Sequence, residues 1–288
     1  MTAVVPNSGT AESQAFNLGV CRALFYAFYL WQMILYSPGG YSALPVQLWS
    51  PPWLLSVFSP PSESGLMAIS VTFYLSSFFA ILGLFSRFSS TITSLTGAFL
   101  FGVMNSYGHV NIHSSVMQLI AFIIPLSHAS DRFSIDSLLK ALPLKSPEAY
   151  LWPIRLSQVS FVALMFTAGL QKLTGNWLSQ PAHNMEYWIR YKYYADAAYK
   201  GIELPGFLLT LTHSHVLMMG MAVLMVAAES LSPLILMKRS KWVRIALITT
   251  LFAMQLFLSQ AMNTLASFPW LCAYFFFIPW ASLLRFSK

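Results

Sequence analysis

The stretch I-R-L-S-Q-V-S-F-V-A-L-M-F-T-A-G-L-Q-K, residues 154–172, decides the fold class of this chain. From Ile154 to Leu170 it is mostly apolar, and it is close to the ~20 residues that an α-helix needs to cross a bilayer. It ends in Lys172, and a lysine within hydrocarbon is costly and usually marks function. We therefore expect a transmembrane helix here, with Lys172 as the first candidate for chemistry.

The composition of the whole chain extends this interpretation. Of its 288 residues, 57% are hydrophobic and 9% are charged, whereas soluble domains have roughly 25% charged residues. The mean hydropathy is +0.62. The chain is therefore predicted to be an integral membrane protein whose first partner is the lipid bilayer. Its net charge of +7 does not predict nucleic-acid binding, because the basic residues are spread over several loops rather than clustered.

Long apolar segments recur along the chain, and most are near the length of a membrane-spanning helix. We predict an all-α fold, a polytopic transmembrane helical bundle with about eight spans. Seven or nine spans are the alternatives, because the fourth segment is short and the last two are divided only around Ala261 to Leu265. The predicted spans are residues 16–36, 66–85, 89–107, 112–127, 154–172, 214–237, 243–261 and 264–283.

The distribution of lysine and arginine predicts the orientation, because cytoplasmic loops are enriched in these residues. With the N-terminus inside, the outer side keeps only Lys172, Arg190, Lys192 and Lys200 of the sixteen basic residues. The loop 37–65 has none, which fits an outer position. We therefore expect a multi-pass inner-membrane protein with both termini cytoplasmic. The other basic residues are Arg22, Arg87, Arg132, Lys140, Lys145, Arg155, Lys238, Arg239, Lys241, Arg244, Arg285 and Lys288.

The N-terminus and the cysteines limit the remaining possibilities. Residues 1–15 have neither the basic region nor the cleavage site of a signal peptide, so we expect a cytoplasmic tail before a retained first helix. Cys21 and Cys272 both lie in predicted spans. This position excludes a disulfide framework and a cysteine-based zinc site.

Two loops are predicted to have structure of their own. The loop 37–65 is rich in proline, glycine and serine and carries two tryptophans, which is typical of a lid at the membrane surface. In the inner loop 128–152, Ser134 is predicted to cap a short helix that leans on the membrane through Leu138 and Leu139.

The outer segment H-N-M-E-Y-W-I-R-Y-K-Y-Y-A-D-A-A-Y, residues 183–199, is predicted to be an interfacial amphipathic helix. Its aromatic face is interpreted either as an anchor in the headgroup layer or as one wall of a cavity above Lys172. The two interpretations are compatible. The residues near this face are Tyr187, Trp188, Tyr191 and Tyr194.

Lys172 itself has two interpretations. A lysine near a helix end can extend its ammonium to the headgroups at little cost, which is called snorkelling. Alternatively, Trp177 lies five residues on and covers the amine. Burial under such a cover would favour the uncharged amine that a general base requires.

His109 and His113 flank the start of the fourth span, also on the outer side. Their i, i+4 spacing would place two imidazoles on one helix face, as in some metal sites. No acidic residue lies near them in sequence, so we predict no metal. His109 is interpreted as a hydrogen-bonded surface group, and His113 as the better candidate because it shares a membrane side with Lys172.

Glu229 is the only carboxylate well inside a predicted span. Pro233 cannot donate a hydrogen bond to the carbonyl of Glu229, so backbone is freed there. We expect this carboxylate either to pair with a cation, with Arg22 as a candidate, or to stay protonated.

Four blocks of this chain resemble, in the same order, the membrane domain of vitamin K-dependent γ-carboxylases and their bacterial relatives, the HTTM (horizontally transferred transmembrane) family. The resemblance covers residues 16–285 and is most specific over 111–188. The blocks are N-I-H-S-S-V-M-Q-L-I-A-F from residue 111, S-H-A-S-D-R-F-S-I-D-S-L-L from 127, W-P-I-R-L-S-Q-V-S-F-V-A-L-M-F-T-A-G-L-Q-K-L-T-G-N-W from 152, and M-E-Y-W-I-R-Y from 185.

The resemblance implies a reaction and the residues that perform it. Lys172 occupies the position of the lysine that deprotonates a hydroquinone, and His113 that of a polar group in the same active site. Oxygen then converts the quinol anion to a strong base, which abstracts a proton from a glutamyl side chain before carbon dioxide adds. The implied cofactor is a reduced quinone like vitamin K hydroquinone. The candidate cofactor-binding residues are His109, Asn111, Gln171, Trp177 and Tyr187.

Two departures from the animal carboxylase limit what carries over. Gln171 stands where that enzyme has a second lysine, directly before the catalytic one. The animal enzyme also continues into a large lumenal part, whereas this chain ends at Lys288. We therefore expect residues 16–285 to form a single HTTM-like domain with no C-terminal lumenal substrate domain.

The leading hypothesis is a carboxylase-like membrane enzyme that uses a reduced quinone and oxygen, with Lys172 as general base. Its expected partners are a quinone or another lipid-soluble small molecule, and a peptide substrate is also considered. The alternative is a non-catalytic membrane accessory or export factor of the same fold, so activity as an enzyme stays open. A transporter is a weaker alternative, because no pair of broken helices is evident in corresponding halves.

Overall fold

The computed structural model describes residues 8–52, 55–108, 114–140, 143–175, 177–200, 206–237, 241–261 and 269–284. Within these ranges every regular element is an α- or 3-10 helix, as expected for the all-α class. The α-helices are α1 Ser8–Tyr36, α2 Glu63–Leu82, α3 Ser86–Ser106, α4 Ser114–Ile123, α5 Ile135–Leu139, α6 Pro147–Thr174, α7 Pro181–Lys200, α8 Gly206–Thr212, α9 His215–Ser230, α10 Lys241–Ala261, α11 Leu271–Tyr274 and α12 Trp280–Leu284.

Three helices of the described ranges are long and apolar enough to cross a membrane. They are α2, α6, and α1 together with the 3-10 turn that follows it, over Thr10–Ala43. The segments Ser114–Leu126 and His215–Ser230 are shorter apolar helices. The count of eight spans therefore stays a prediction.

The predicted last span, 264–283, is not a continuous helix in its described part. It consists of α11, a 3-10 turn at Phe275–Phe277, and α12. Ile278 between these pieces has an extended backbone, and Pro279 follows it. A proline disfavours helical backbone at the residue before it, which is consistent with the end of the helix before Pro279.

The chain divides into two compact units, and the boundary falls within α6. The first unit comprises residues 1–158 and 272–288. In this unit α2 packs on α1 and α3, α4 packs on α3, and α12 packs on α1. Aromatic side chains fill the interior, where the rings of Tyr29 and Phe73 meet edge to face at 5.0 Å between centroids.

Arg22 on α1 lies fully buried in this unit. Its guanidinium donates to the carbonyls of Ala129 at 3.1 Å, Phe133 at 2.7 Å and Ile81 at 3.4 Å. Ile81 belongs to the last turn of α2, whose carbonyls have no partner within the helix. Arg22 therefore joins α1 to the end of α2 and to the loop that holds Ala129 and Phe133, by satisfying three backbone acceptors.

The second unit comprises residues 159–271. In it α7 and α9 pack along each other, and α10 packs on α9. Arg190 on α7 donates to the hydroxyl of Thr212, just before α9, at 3.1 Å, whereas Met185 near the start of α7 lines a cavity with Met225 near the end of α9. The two helices are therefore antiparallel.

Candidate functional site

Lys172 lies in the last turn of α6, which ends at Thr174. The backbone N–H of Gly175 donates to the carbonyl of Gln171 at 3.0 Å, which closes the helix end. A cation in the last turn interacts favourably with the negative end of the helix dipole. Lys172 therefore lies where the last carbonyls of α6 attract a cation.

Glu229 is the partner of Lys172. The Lys172 Nζ donates to Glu229 Oε2 at 2.6 Å, and the two side chains are 19% and 7% exposed. This contact confirms that Glu229 is paired, but the expected partner Arg22 is wrong. The amine is turned to a buried carboxylate, so the arrangement is not that of a snorkelling lysine.

A glycine lets α6 and α9 approach closely enough for this contact. A Cβ placed on Gly169 would lie 2.6 Å from the backbone nitrogen of Ser230 and 2.9 Å from the carbonyl carbon of Glu229. Gly169 precedes Lys172 by three residues, so both lie on one face of α6. The Ser232 hydroxyl donates to the carbonyl of Val162 at 3.3 Å and holds the next turn.

Sequence reasoning missed the role of Gly169. The signal that identifies it is the spacing G-x-x-K, in which a residue without a side chain lies one turn below the lysine on the same helix face. Such a glycine marks a close approach of two backbones.

The ring of Trp177 lies close to the Lys172 amine. The Lys172 Nζ lies 5.9 Å from the ring centroid of Trp177, a distance at which a cation interacts with an aromatic face. The side-chain amide of Asn184 donates to the Trp177 carbonyl at 3.2 Å and ties this segment to α7. The Lys172 amine therefore has a carboxylate on one side and an aromatic ring on another.

The structure does not bring every predicted site residue to Lys172. The side chain of Gln171 is exposed. Tyr187 lies on the exposed face of α7, stacked on Tyr191 at 5.8 Å, whereas the opposite face of that helix is buried against α9. His109, Asn111 and His113 lie outside the described residues.

The ion pair also changes the predicted depths of its two members. Lys172 was expected at the outer end of its span, and Glu229 fifteen residues into the span that begins at 214. At 1.5 Å per residue these depths differ by roughly 20 Å, yet the two side chains are in contact. The helices α7 and α9 therefore form a hairpin that begins and ends at the level of the ion pair.

An apolar cavity lies one helical turn from Glu229. It has a volume of about 200 Å³ and is formed by α7, α9 and α10. Met225 lines it and precedes Glu229 by four residues, so the two share one face of α9. The lining side chains, four of them methionines, are Met185, Met221, Leu224, Met225, Ala253, Met254 and Phe257.

The described residues contain no group of three or more histidine, cysteine, aspartate or glutamate side chains that could hold a metal ion. The ionisable side chains that meet at this site are one amine and one carboxylate. Together they can accept, store and release a proton next to an apolar cavity.

Comparison with known proteins gives one match. No curated protein and no solved structure matches the chain. The family profile described as HTTM domain matches residues 11–280, which includes both compact units and both members of the ion pair. The chain is therefore a membrane protein that belongs to the HTTM domain family.

Proposed function

We propose that this protein is an enzyme that deprotonates a reduced quinone and directs its reaction with oxygen, with Lys172 and Glu229 as the proton-accepting pair. The observation that carries the proposal is the contact of 2.6 Å between the Lys172 amine and the buried Glu229 carboxylate. The resemblance of the A-G-L-Q-K-L block to the lysine block of the γ-carboxylase membrane domain supports it. The HTTM match supports the same family relationship.

The ion pair requires a different route for the proton from that of a lone neutral lysine. A paired lysine is an ammonium and cannot accept a proton directly. It first transfers a proton to Glu229 Oε2, which leaves a neutral amine beside a carboxylic acid. The amine then takes the hydroxyl proton of the substrate. The pair ends with one positive charge, which balances the negative charge left on the substrate.

The apolar cavity of about 200 Å³ next to the pair fits an aromatic ring system. Methionine side chains are polarisable and adaptable, and their sulfur atoms make favourable contacts with aromatic rings. A bound reduced quinone would supply the acidic hydroxyl and the electrons that reduce oxygen. Met185, Met225 and Phe257 would hold the quinone ring, and the indole of Trp177 lies 5.9 Å from the Lys172 amine.

Oxygen consumption by the purified protein tests this function. With a water-soluble naphthohydroquinone as substrate, we expect oxygen uptake well above the rate of spontaneous oxidation. Lys172→Ala should lower this uptake at least about 100-fold, since general base catalysis contributes roughly that much. Lys172→Arg should not restore it, because a guanidinium stays protonated.

The matched control is Lys241→Ala, which removes an exposed lysine at the start of α10 in the same unit. This variant should react like the wild-type protein. A wild-type protein that does not accelerate quinol oxidation would contradict the enzymatic proposal and favour the accessory-protein alternative. Full activity in Lys172→Arg would contradict the role of Lys172 as a base.

We also infer that the protein lies in the inner membrane with both termini cytoplasmic, as the basic residues indicate. A cysteine introduced at Asn184 should then react with a membrane-impermeant thiol reagent added outside cells. A cysteine introduced at Lys145 should react only after the cells are broken. The reverse pattern would overturn this orientation.

A further inference from the structure

The short helix α5 separates two grooves on the surface of the first unit. The groove on one side has a volume of about 720 Å³ and is almost entirely apolar, with Leu24, Ile81, Leu138 and Trp280 among its lining residues. The groove on the other side has a volume of about 400 Å³ and contains Arg87 and Lys140. Helix α5 therefore lies between an apolar groove and a second groove, called the cationic groove because it contains Arg87 and Lys140.

Apolar side chains of α5 and of the start of α3 are exposed beside the two grooves. Leu138 is 85% exposed and Leu139 is 70% exposed, and Phe85 and Phe88 beside Arg87 are exposed to a similar degree. Large exposed apolar patches mark protein or membrane contact sites. Leucine and phenylalanine next to arginine and lysine are the composition of a surface that contacts the headgroup and upper acyl layer.

Hydrogen bonds fix α5 in place between the two grooves. The carboxylate of Asp136 accepts from the backbone N–H groups of Phe85 at 3.0 Å and Ser86 at 2.8 Å, at the start of α3. The N–H of Asp136 donates to the carbonyl of Gly83 at 3.1 Å. Ser134 caps α5, as the sequence predicts. The site is thus built by the fold rather than by a mobile loop.

The charges that face the cationic groove favour an anion. Asp136 is its one lining carboxylate, and both oxygens of that group are taken up by the N-terminus of α3. Arg87 Nη2 lies 3.4 Å from His128 Nδ1, while the Lys140 side chain is exposed. Arg87 and Lys140 are therefore the two cations that remain to bind a ligand. The N–H groups of Phe85 and Ser86 are not available to it, because they donate to Asp136.

We propose that α5 and the start of α3 form a binding site for an anionic phospholipid. Its phosphate contacts Arg87 and Lys140, and one acyl chain lies in the apolar groove along Leu24 and Leu138. One lipid molecule is longer than the diameter of a helix, which is about 10 Å. Its phosphate and its acyl chain can therefore lie on opposite sides of α5. Arginine and lysine near a membrane surface attract anionic lipids, whereas a zwitterionic headgroup offers no net charge. This proposal is independent of the proposed enzymatic function.

Lipid binding to the purified full chain in non-ionic detergent tests the site. We expect native mass spectrometry to show dioleoyl phosphatidylglycerol bound roughly ten-fold or more tightly than dioleoyl phosphatidylcholine. The double variant Arg87→Gln/Lys140→Gln should remove this preference. Ala27→Trp, which places a large ring in the apolar groove from an exposed position, should weaken the binding of both lipids and keep the preference between them.

The matched control is Lys145→Gln, an exposed lysine in the same inner loop that does not line either groove. It should keep the preference for phosphatidylglycerol. Equal binding of the two lipids by the wild-type protein would overturn the proposal. So would a preference that survives the double variant, or one that Lys145→Gln also removes, because general surface charge would then explain it.

Discussion

Arg22→Leu is expected to lower the free energy of unfolding by at least about 3 kcal/mol. The guanidinium of Arg22 satisfies the carbonyls of Ala129, Phe133 and Ile81, and each buried carbonyl left without a partner costs about 1 to 3 kcal/mol. Leucine also leaves part of the side-chain volume empty. Thermal and denaturant unfolding of the detergent-solubilised protein should show the change as a large loss of stability or of folded protein.

Two further variants separate this network from the effect of charge alone. Arg22→Lys keeps the charge, but one ammonium cannot reach three carbonyls in the same geometry, so it should recover only part of the stability. Arg155→Leu removes an exposed arginine from α6 and should change stability by no more than about 0.5 kcal/mol. An Arg22→Leu protein as stable as the wild type would show that these hydrogen bonds contribute nothing net.

Helix positions were predictable where they depend only on residues close in sequence. The apolar lengths of 16–36, 66–85 and 154–172 fall within α1, α2 and α6, apart from the last three residues of the second segment. Gly83 ends α2 there, in a left-handed conformation with φ of 68°. The capping serine at 134 was also predictable, because a cap depends only on the residues of one turn.

The partner of Glu229 was not predictable, because depth along a single span does not give the depth of a hairpin. The sequence places Glu229 deep in the segment 214–237 and Lys172 at the end of another. Only the antiparallel packing of α7 on α9 shows that the chain returns to the level of Lys172 at the end of α9. The choice of Arg22 rested on charge alone, whereas the buried guanidinium satisfies backbone carbonyls.

The break after Phe277 shows what composition does not predict, which is an interruption of the helix inside an apolar segment. Residues 264–283 are apolar enough to predict a span, yet the helical backbone ends before Pro279, which disfavours helix at Ile278. The sequence alone assigned no role to Gly169. Its role depends on the backbone of Ser230 and Glu229, which lies about sixty residues away in sequence.

The second large effect is a loss of unfolding free energy when either member of the ion pair is replaced. A double-mutant cycle measures it. Lys172→Met leaves the buried Glu229 carboxylate without its partner, and Glu229→Leu does the same to the amine. Each single variant should lose about 3 to 5 kcal/mol of unfolding free energy, as for other buried ion pairs. The double variant should lose far less, because two apolar side chains leave no buried charge. Unfolding midpoints of the four proteins give the coupling between the residues.

Gly169→Ala tests the same contact with both charges in place. Its Cβ would lie 2.6 Å from the Ser230 nitrogen, so α6 and α9 must separate, and the variant should lose stability and quinol-dependent oxygen uptake together. Gly220→Ala is the matched control, because a Cβ at this position on α9 meets nothing within 4 Å. It should keep both properties.

The cycle also separates the structural role of the pair from its chemistry, since stability and proton transfer depend on different properties of the two side chains. Methionine and leucine can replace the packing of Lys172 and Glu229, but neither can accept or release a proton. The Lys172→Met/Glu229→Leu protein should therefore be folded and should oxidise the naphthohydroquinone no faster than buffer does. A folded double variant with wild-type oxygen uptake would leave the pair as a helix-packing device and the proposed chemistry without its base. If the double variant instead lost as much unfolding free energy as the two single variants together, the contact of 2.6 Å would contribute no coupling.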